Sequence, residues 1–178
     1  MNQSDRTSEC IRTGNKLLRG ELSAVQTYEM AIKRHPALAR AFDLDRISNE
    51  HRRSVCLLIA VVREMGGEPA LNFGTWGVFA NSAQSVTNFL GAKAMVESLR
   101  QGEEQGRNDY EDALDGENTN ESLKTLIRTE LLTSVENHII SLERLQNAVA
   151  EPPPTPGLRR EGSLGVEKAN PCCGGGGS

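Results

Sequence analysis

The sequence predicts an all-α protein, an antiparallel four-helix bundle with a long connection between its second and third helices. Three observations carry this expectation. Apolar residues recur with helical period along four long segments of the first 150 residues, no segment alternates as a half-buried strand would, and the breaks between segments hold Pro, Gly or polar runs.

The first helix is expected over residues 15–33, where Leu17, Leu18, Ala24, Val25, Tyr28, Ala31 and Ile32 form one stripe and Pro36 marks a boundary. The second is expected over about 37–65, with Leu44, Ile47, His51, Val55, Leu58 and Val62 on one face and Gly66-Gly67 and Pro69 ending it. The connection after it, LNFGTWGVFANSAQSVTNFL, holds the single Trp and three of the four Phe. Such apolar bulk predicts an ordered segment. The third helix is expected over about 92–114, ended by Asp115-Gly116, and the fourth over about 121–149 after a polar loop at Asn118–Asn120. The fourth carries the stripe Leu123, Leu126, Ile127, Leu131, Ser134, His138, Leu142 and Leu145.

Residues 151–178 differ in composition. Five of the seven prolines lie there, EPPPTP forms a stiff spacer, and the remainder is rich in glycine and poor in apolar residues. The expected organisation is therefore a bundle over 1–150 and a disordered tail over 151–178. The net charge of −4 excludes a strongly basic nucleic-acid binder. No run of apolar residues is long enough to span a membrane, and the start MNQSDRTSEC lacks the order of a secretory signal, so a cytoplasmic protein is expected. The cysteines show no CxxC spacing; Cys10, Cys56, Cys172 and Cys173 are expected as thiols.

An internal repeat links the halves. RGELSAVQTYEMAI at 19–32 aligns with QGEEQGRNDYEDAL at 101–114, pairing Gly20 with Gly102, Glu21 with Glu103, Tyr28 with Tyr110, Glu29 with Glu111 and Ala31 with Ala113. Those are the only two tyrosines of the chain. NEHRRSV at 49–55 aligns with ENHIISL at 136–142, pairing His51 with His138 and Ser54 with Ser141. A duplicated helical hairpin with pseudo-twofold symmetry explains the shared order of rare residue types.

Glutamate and tyrosine seven apart share a helix face, and here that face is the apolar one. A carboxylate aimed into a bundle must be paired, protonated or metal-bound. Glu21 and Glu103 from one helix pair, and His51 and His138 from the other, would converge at the midplane as a carboxylate–imidazole site suited to iron, manganese or zinc. Tyr28 and Tyr110 would back it. Glu50 and Glu136, beside the histidines, complete the candidate set, although neighbouring helical positions point about 100° apart and share an ion only with distortion. Alternatives stand beside each assignment: first-turn glutamates facing solvent, tyrosines that are ordinary amphipathic core residues, and hydrogen-bonded core histidines.

With these residues in view, residues 8–148 resemble the ferritin-like superfamily and within it a bacterial ferritin-like family of unknown function. The segment RQGEEQGRNDYEDAL after a Trp-containing connection carries most of the likeness, and Glu21 with Tyr28 matches the first-helix spacing of ferritins. The resemblance implies a di-metal centre, iron as the cofactor with manganese or no metal as alternatives, ferroxidase-like activity and a homo-oligomer. The Glu-x-x-His pattern of that superfamily is absent, since Ser48 and Val135 stand three before the histidines.

In the tail, RREGSLGVEK at 159–168 places Leu164 and Val166 two apart, on one side of an extended peptide. GSLGV is similar to the targeting peptide of encapsulin cargo proteins. That likeness implies that Ser163, Leu164, Gly165 and Val166 dock on an encapsulin shell protein, inside a nanocompartment. The expected function is thus a ferritin-like encapsulin cargo that handles iron or oxidative stress; the alternative is a non-enzymatic bundle that has lost the di-metal site.

Overall fold

The structure, a computed structural model, describes residues 3–71 and 91–150. The helices are α1 (Gln3–Arg34), α2 (Pro36–Ala41), α3 (Leu44–Glu64), α4 (Ala92–Asp115), α5 (Glu121–Leu126) and α6 (Leu132–Ala150), with a π-helical segment, Ile127–Leu131, joining the last two into one rod. No strand occurs among the described residues, as expected of an all-α fold. None of the described helices is long and apolar enough to cross a membrane.

Residue pairings define the topology. Cys10 meets Met65 at the end of α3 and Glu29 meets Arg52, so α1 and α3 run antiparallel. Glu103 meets His138 and Glu97 meets Gln146, so α4 and α6 do too. Tyr28 reaches Glu103 and Lys16 reaches Asp109, which sets α1 antiparallel to α4. Glu50–His138 and Arg53–Glu130 do the same for α3 and α6. Each helix is therefore antiparallel to both neighbours, and α3 and α4 are diagonal and parallel. The end of α3 and the start of α4 consequently lie at opposite ends of the bundle, which is why the chain between them is long. The Trp- and Phe-bearing connection expected to be ordered falls, apart from Leu71, outside the described residues, as does the whole 151–178 tail.

Two apolar clusters fill the ends. Leu17, Leu18, Leu58, Leu123, Ile127 and Leu131 anchor one; Tyr28, Leu44, Ile47, Val96, Leu142 and Leu145 anchor the other. Between them lies a buried polar layer made of Glu21, His51, Glu103 and His138.

Three local features depart from the sequence expectation. First, α1 begins at Gln3 rather than at 15, which sets Glu21 in mid-helix and removes the first-turn alternative. Glu103 is likewise eleven residues inside α4.

Second, the expected single helix over 37–65 breaks at Phe42–Asp43. Asp43 adopts a left-handed conformation with φ 53°. Ala39 and Leu44, both buried, are five apart and would share no face of an unbroken helix; the break turns both inward.

Third, the core positions Leu123, Ile127, Leu131, Val135 and Ile139 follow one another every four residues. On a regular helix such a run drifts about 40° per step. The wider i→i+5 turn at Ile127–Leu131 absorbs the drift and keeps the run on the core. It also leaves Ser134, expected on the inward stripe, only half-buried.

The C-terminal end of α3 is shaped by glycine. Gly66 takes φ +79° just past the helix, and Gly67 lies so close to α1 that a Cβ there would sit 2.6 Å from Ile11 Cγ2.

Candidate metal centre

The polar layer is a single hydrogen-bonded cluster. Tyr28 donates to Glu103 Oε1 at 2.6 Å, and its repeat equivalent Tyr110 donates to Glu21 Oε1. Each tyrosine therefore serves the other hairpin's glutamate, an exchange that obeys the pseudo-twofold axis. The serine pair of the repeat also matches: Ser54 and Ser141 each donate to the carbonyl four residues earlier, at 3.2 and 2.8 Å.

The histidines lie between carboxylates. His51 Nδ1 faces Glu21 Oε2 at 2.9 Å and its Nε2 faces Glu103 Oε1 at 2.9 Å. His138 Nδ1 faces Glu103 Oε2 at 3.2 Å and its Nε2 faces Glu50 Oε2 at 2.7 Å. Glu103 thus presents one oxygen to each histidine. The two imidazole rings have centroids 4.8 Å apart, and the Tyr28 ring packs 5.2 Å from that of His51.

Burial and charge oppose each other here. Burial alone would disfavour the His51 cation, but the charges and hydrogen bonds of Glu103 and Glu21 outweigh it and raise the His51 pKa well above its ordinary value. Burial likewise opposes ionisation of Glu103, and His51 with His138 overrides it, holding that carboxyl well below the usual range. Glu50 is also lowered: partial burial opposes its ionisation, and hydrogen bonds from Arg46 and His138 prevail. Burial and the adjacent carboxylates push the hydroxyls of Tyr28 and Tyr110 well up, so both stay protonated donors.

The structure brings together Glu21, His51, Glu103, His138, Tyr28, Tyr110 and Glu50. It does not bring in Glu136, whose side chain is exposed on the face away from the layer. The difference between Glu50 and Glu136 has a geometric cause. Glu50 does not share a partner with its neighbour His51. It crosses to the other hairpin's histidine, so the 100° between adjacent positions places it correctly. Its counterpart in the repeat is Asn137, not Glu136, and the layer is asymmetric there.

Two contributors lay outside the expected set. Arg46 holds Glu50 Oε1 at 2.7 Å, a helical i,i+4 pair legible in the spacing. Ser48, one turn before His51 on the same face, is buried, and its hydroxyl has no hydrogen-bond partner among the described residues.

His51, Glu103 and His138 can each offer one ligand atom, all within 4.8 Å of one another. Ligand atoms bound at about 2.1 Å stand roughly 3–4 Å apart around one ion. A contraction of about 1 Å suffices, and two imidazoles with a carboxylate are a donor set for a first-row transition ion. The fit is chemically sound, with one condition: every one of these atoms already has a protein partner, so an ion must displace hydrogen bonds and the protons in them.

A family model described as Domain of unknown function (DUF2383) matches residues 9–116, from the first turns of α1 to just past the end of α4. The match includes Glu21, Tyr28, Glu50, His51, Glu103 and Tyr110 and stops before His138. No curated protein and no solved structure matches the chain.

Proposed function

Because the chain belongs to the family described as Domain of unknown function (DUF2383), a description that states no activity, we propose from the geometry of the buried layer that the protein is a ferritin-like metal-binding protein. Iron is the preferred ion and manganese the alternative. The observation that carries this reading is Glu103, whose two oxygens address two histidines on the neighbouring helices α3 and α6. That is the disposition of a carboxylate shared between two ligand sets. His51 with Glu21 would complete one set and His138 with Glu50 the other. Bound iron would supply one-electron oxidation and reduction.

The remaining work belongs to the protein. Tyr28 and Tyr110 fix the carboxylate orientation by donating to Glu103 and Glu21. The apolar clusters on either side keep bulk water out. Glu50, one-third exposed, is the member of the cluster that reaches the surface.

Anaerobic loading of metal-free protein with ferrous iron, followed by measurement of iron per chain, tests the reading. Glu103→Ala combined with His51→Ala should abolish the bound iron, and unchanged stoichiometry would refute the site.

A second reading rests on a specific observation: every carboxylate and imidazole of the layer is already paired within the protein. Buried polar networks that are fully satisfied specify a unique core without any ion. On that reading the protein is a non-enzymatic scaffold, and adding iron or manganese leaves its melting temperature unchanged.

For the tail, the proposal is delivery to an encapsulin shell through Ser163, Leu164, Gly165 and Val166. The support is the GSLGV sequence on a Pro-rich tether. Deletion of 158–178 should abolish co-purification with a co-expressed shell protein. Homo-oligomer formation belongs to the same proposal and is read by sedimentation.

A further inference from the structure

Outside the polar layer, the facing surfaces of α3 and α6 part to form a groove of about 410 Å³. That is within the usual size of small-molecule sites. Arg46 and Arg53, seven apart and so on one face of α3, stand along it, with Arg144 on α6. Ser134, Ser141 and the amide of Asn137 line the α6 wall. The acids of the lining are Glu50 and Glu130, so three guanidiniums face two carboxylates. A net positive concavity runs against the chain's overall charge of −4.

The donors are incompletely used. Arg53 is engaged through Nη2 by Glu130 at 3.0 Å, which leaves its other edge free. Arg46 gives Nη1 to Glu50 and Nε to Asp43. Among the described residues Arg144 has no hydrogen-bond or ion-pair partner. A guanidinium's planar fork matches the paired oxygens of a phosphate or a carboxylate, and hydroxyl and amide donors complete such recognition.

We propose that this groove binds a small multivalent oxyanion, a phosphate or a polycarboxylate, held by the guanidiniums of Arg46, Arg53 and Arg144. Arg46 also holds Glu50, whose other oxygen holds His138. The bound anion therefore contacts the guanidinium that positions the outermost member of the buried layer. The site stands on its own residues and holds whether or not an ion occupies the layer.

The test is calorimetric titration of the full chain, stripped of metal with a chelator and dialysed, with inorganic phosphate and separately with citrate. Both titrations are run at constant ionic strength in chloride. Saturable binding at one site per chain is expected for at least one probe, and the probe that binds identifies the source of the oxyanion. Arg53→Gln with Arg144→Gln should weaken it at least tenfold, with circular dichroism unchanged. Arg144→Gln alone, at an exposed position, should weaken it several-fold. Arg12→Gln, an exposed arginine on α1, should leave it unaltered. Absence of saturable binding with both probes overturns the proposal, as does equal affinity in the arginine variants.

Discussion

Tyr28 on α1 donates its hydroxyl to Glu103 Oε1 on α4 at 2.6 Å, joining the two halves of the repeat through their equivalent residues. A hydrogen bond to a buried ionised group contributes about 1.5–3 kcal/mol. Tyr28→Phe should therefore destabilise the protein by that amount in urea unfolding, and Tyr110→Phe, which releases Glu21, by a similar amount. The double variant should deviate from additivity, because both bonds belong to one network. Losses under about 0.5 kcal/mol for both single variants would show that the tyrosines only fill space.

Glu103 and Glu136 should separate cleanly. Glu103→Ala leaves two buried histidines without their shared carboxylate, and removing one member of a buried charged pair costs about 3–5 kcal/mol. Glu136→Ala, at an exposed position, should stay within about 0.5 kcal/mol. Chemical denaturation of both variants checks this; comparable losses would mean that Glu136 takes part in the layer.

The metal-free protein should be most stable in mildly acidic solution. The His51 pKa is raised on folding, so its contribution is complete below the ordinary value of 6.5 and disappears as pH rises through the folded value. The Glu103 pKa is depressed, so its contribution is present above the ordinary value of 4.5 and disappears as pH falls through the folded value. Both describe the same ion pair. Stability in the presence of a chelator should peak between about pH 4.5 and 6.5 and decline on both sides. A rise in stability from pH 6 to 9 would contradict a charged His51.

Metal should reverse the alkaline limb. An ion must replace protons on imidazole nitrogen, so affinity should increase with pH. At one hundred times the dissociation constant a bound ion adds about 2.7 kcal/mol of stability. A melting temperature raised by ferrous iron or manganese at pH 8, and less so at pH 5.5, is the expected result. No shift at either pH favours the scaffold reading.

Two glycines should respond in opposite directions. Gly67→Ala drives a Cβ into the stiff, β-branched Ile11 and should cost about 1–3 kcal/mol. Gly102→Ala, in mid-helix with nothing within 4 Å of the added carbon, should stabilise by about 0.4–1 kcal/mol. Thermal melts of the two variants read the sign directly.

The helical class, the four-rod count and the inward faces of His51 and His138 were legible in periodicity, because a 3.6-residue stripe is a local property of the chain; for Glu21 and Glu103 a solvent-facing first-turn position stayed open until the observed helix starts set both in mid-helix. The repeat went further and paired residues across the halves. What local pattern does not carry is the relative rotation of packed helices, and three features depended on it. Glu50 joins the layer and Glu136 does not, because Glu50 is aimed at the opposite hairpin's histidine. The helix expected over 37–65 breaks at Asp43, and the last helix widens at Ile127–Leu131, because the core demanded positions that an unbroken α-helix would have rotated away. Glu103 stands between both imidazoles only once α1, α3, α4 and α6 close on one another. A residue's own face is written in its neighbours along the chain; the partner opposite that face is chosen by how the rods pack.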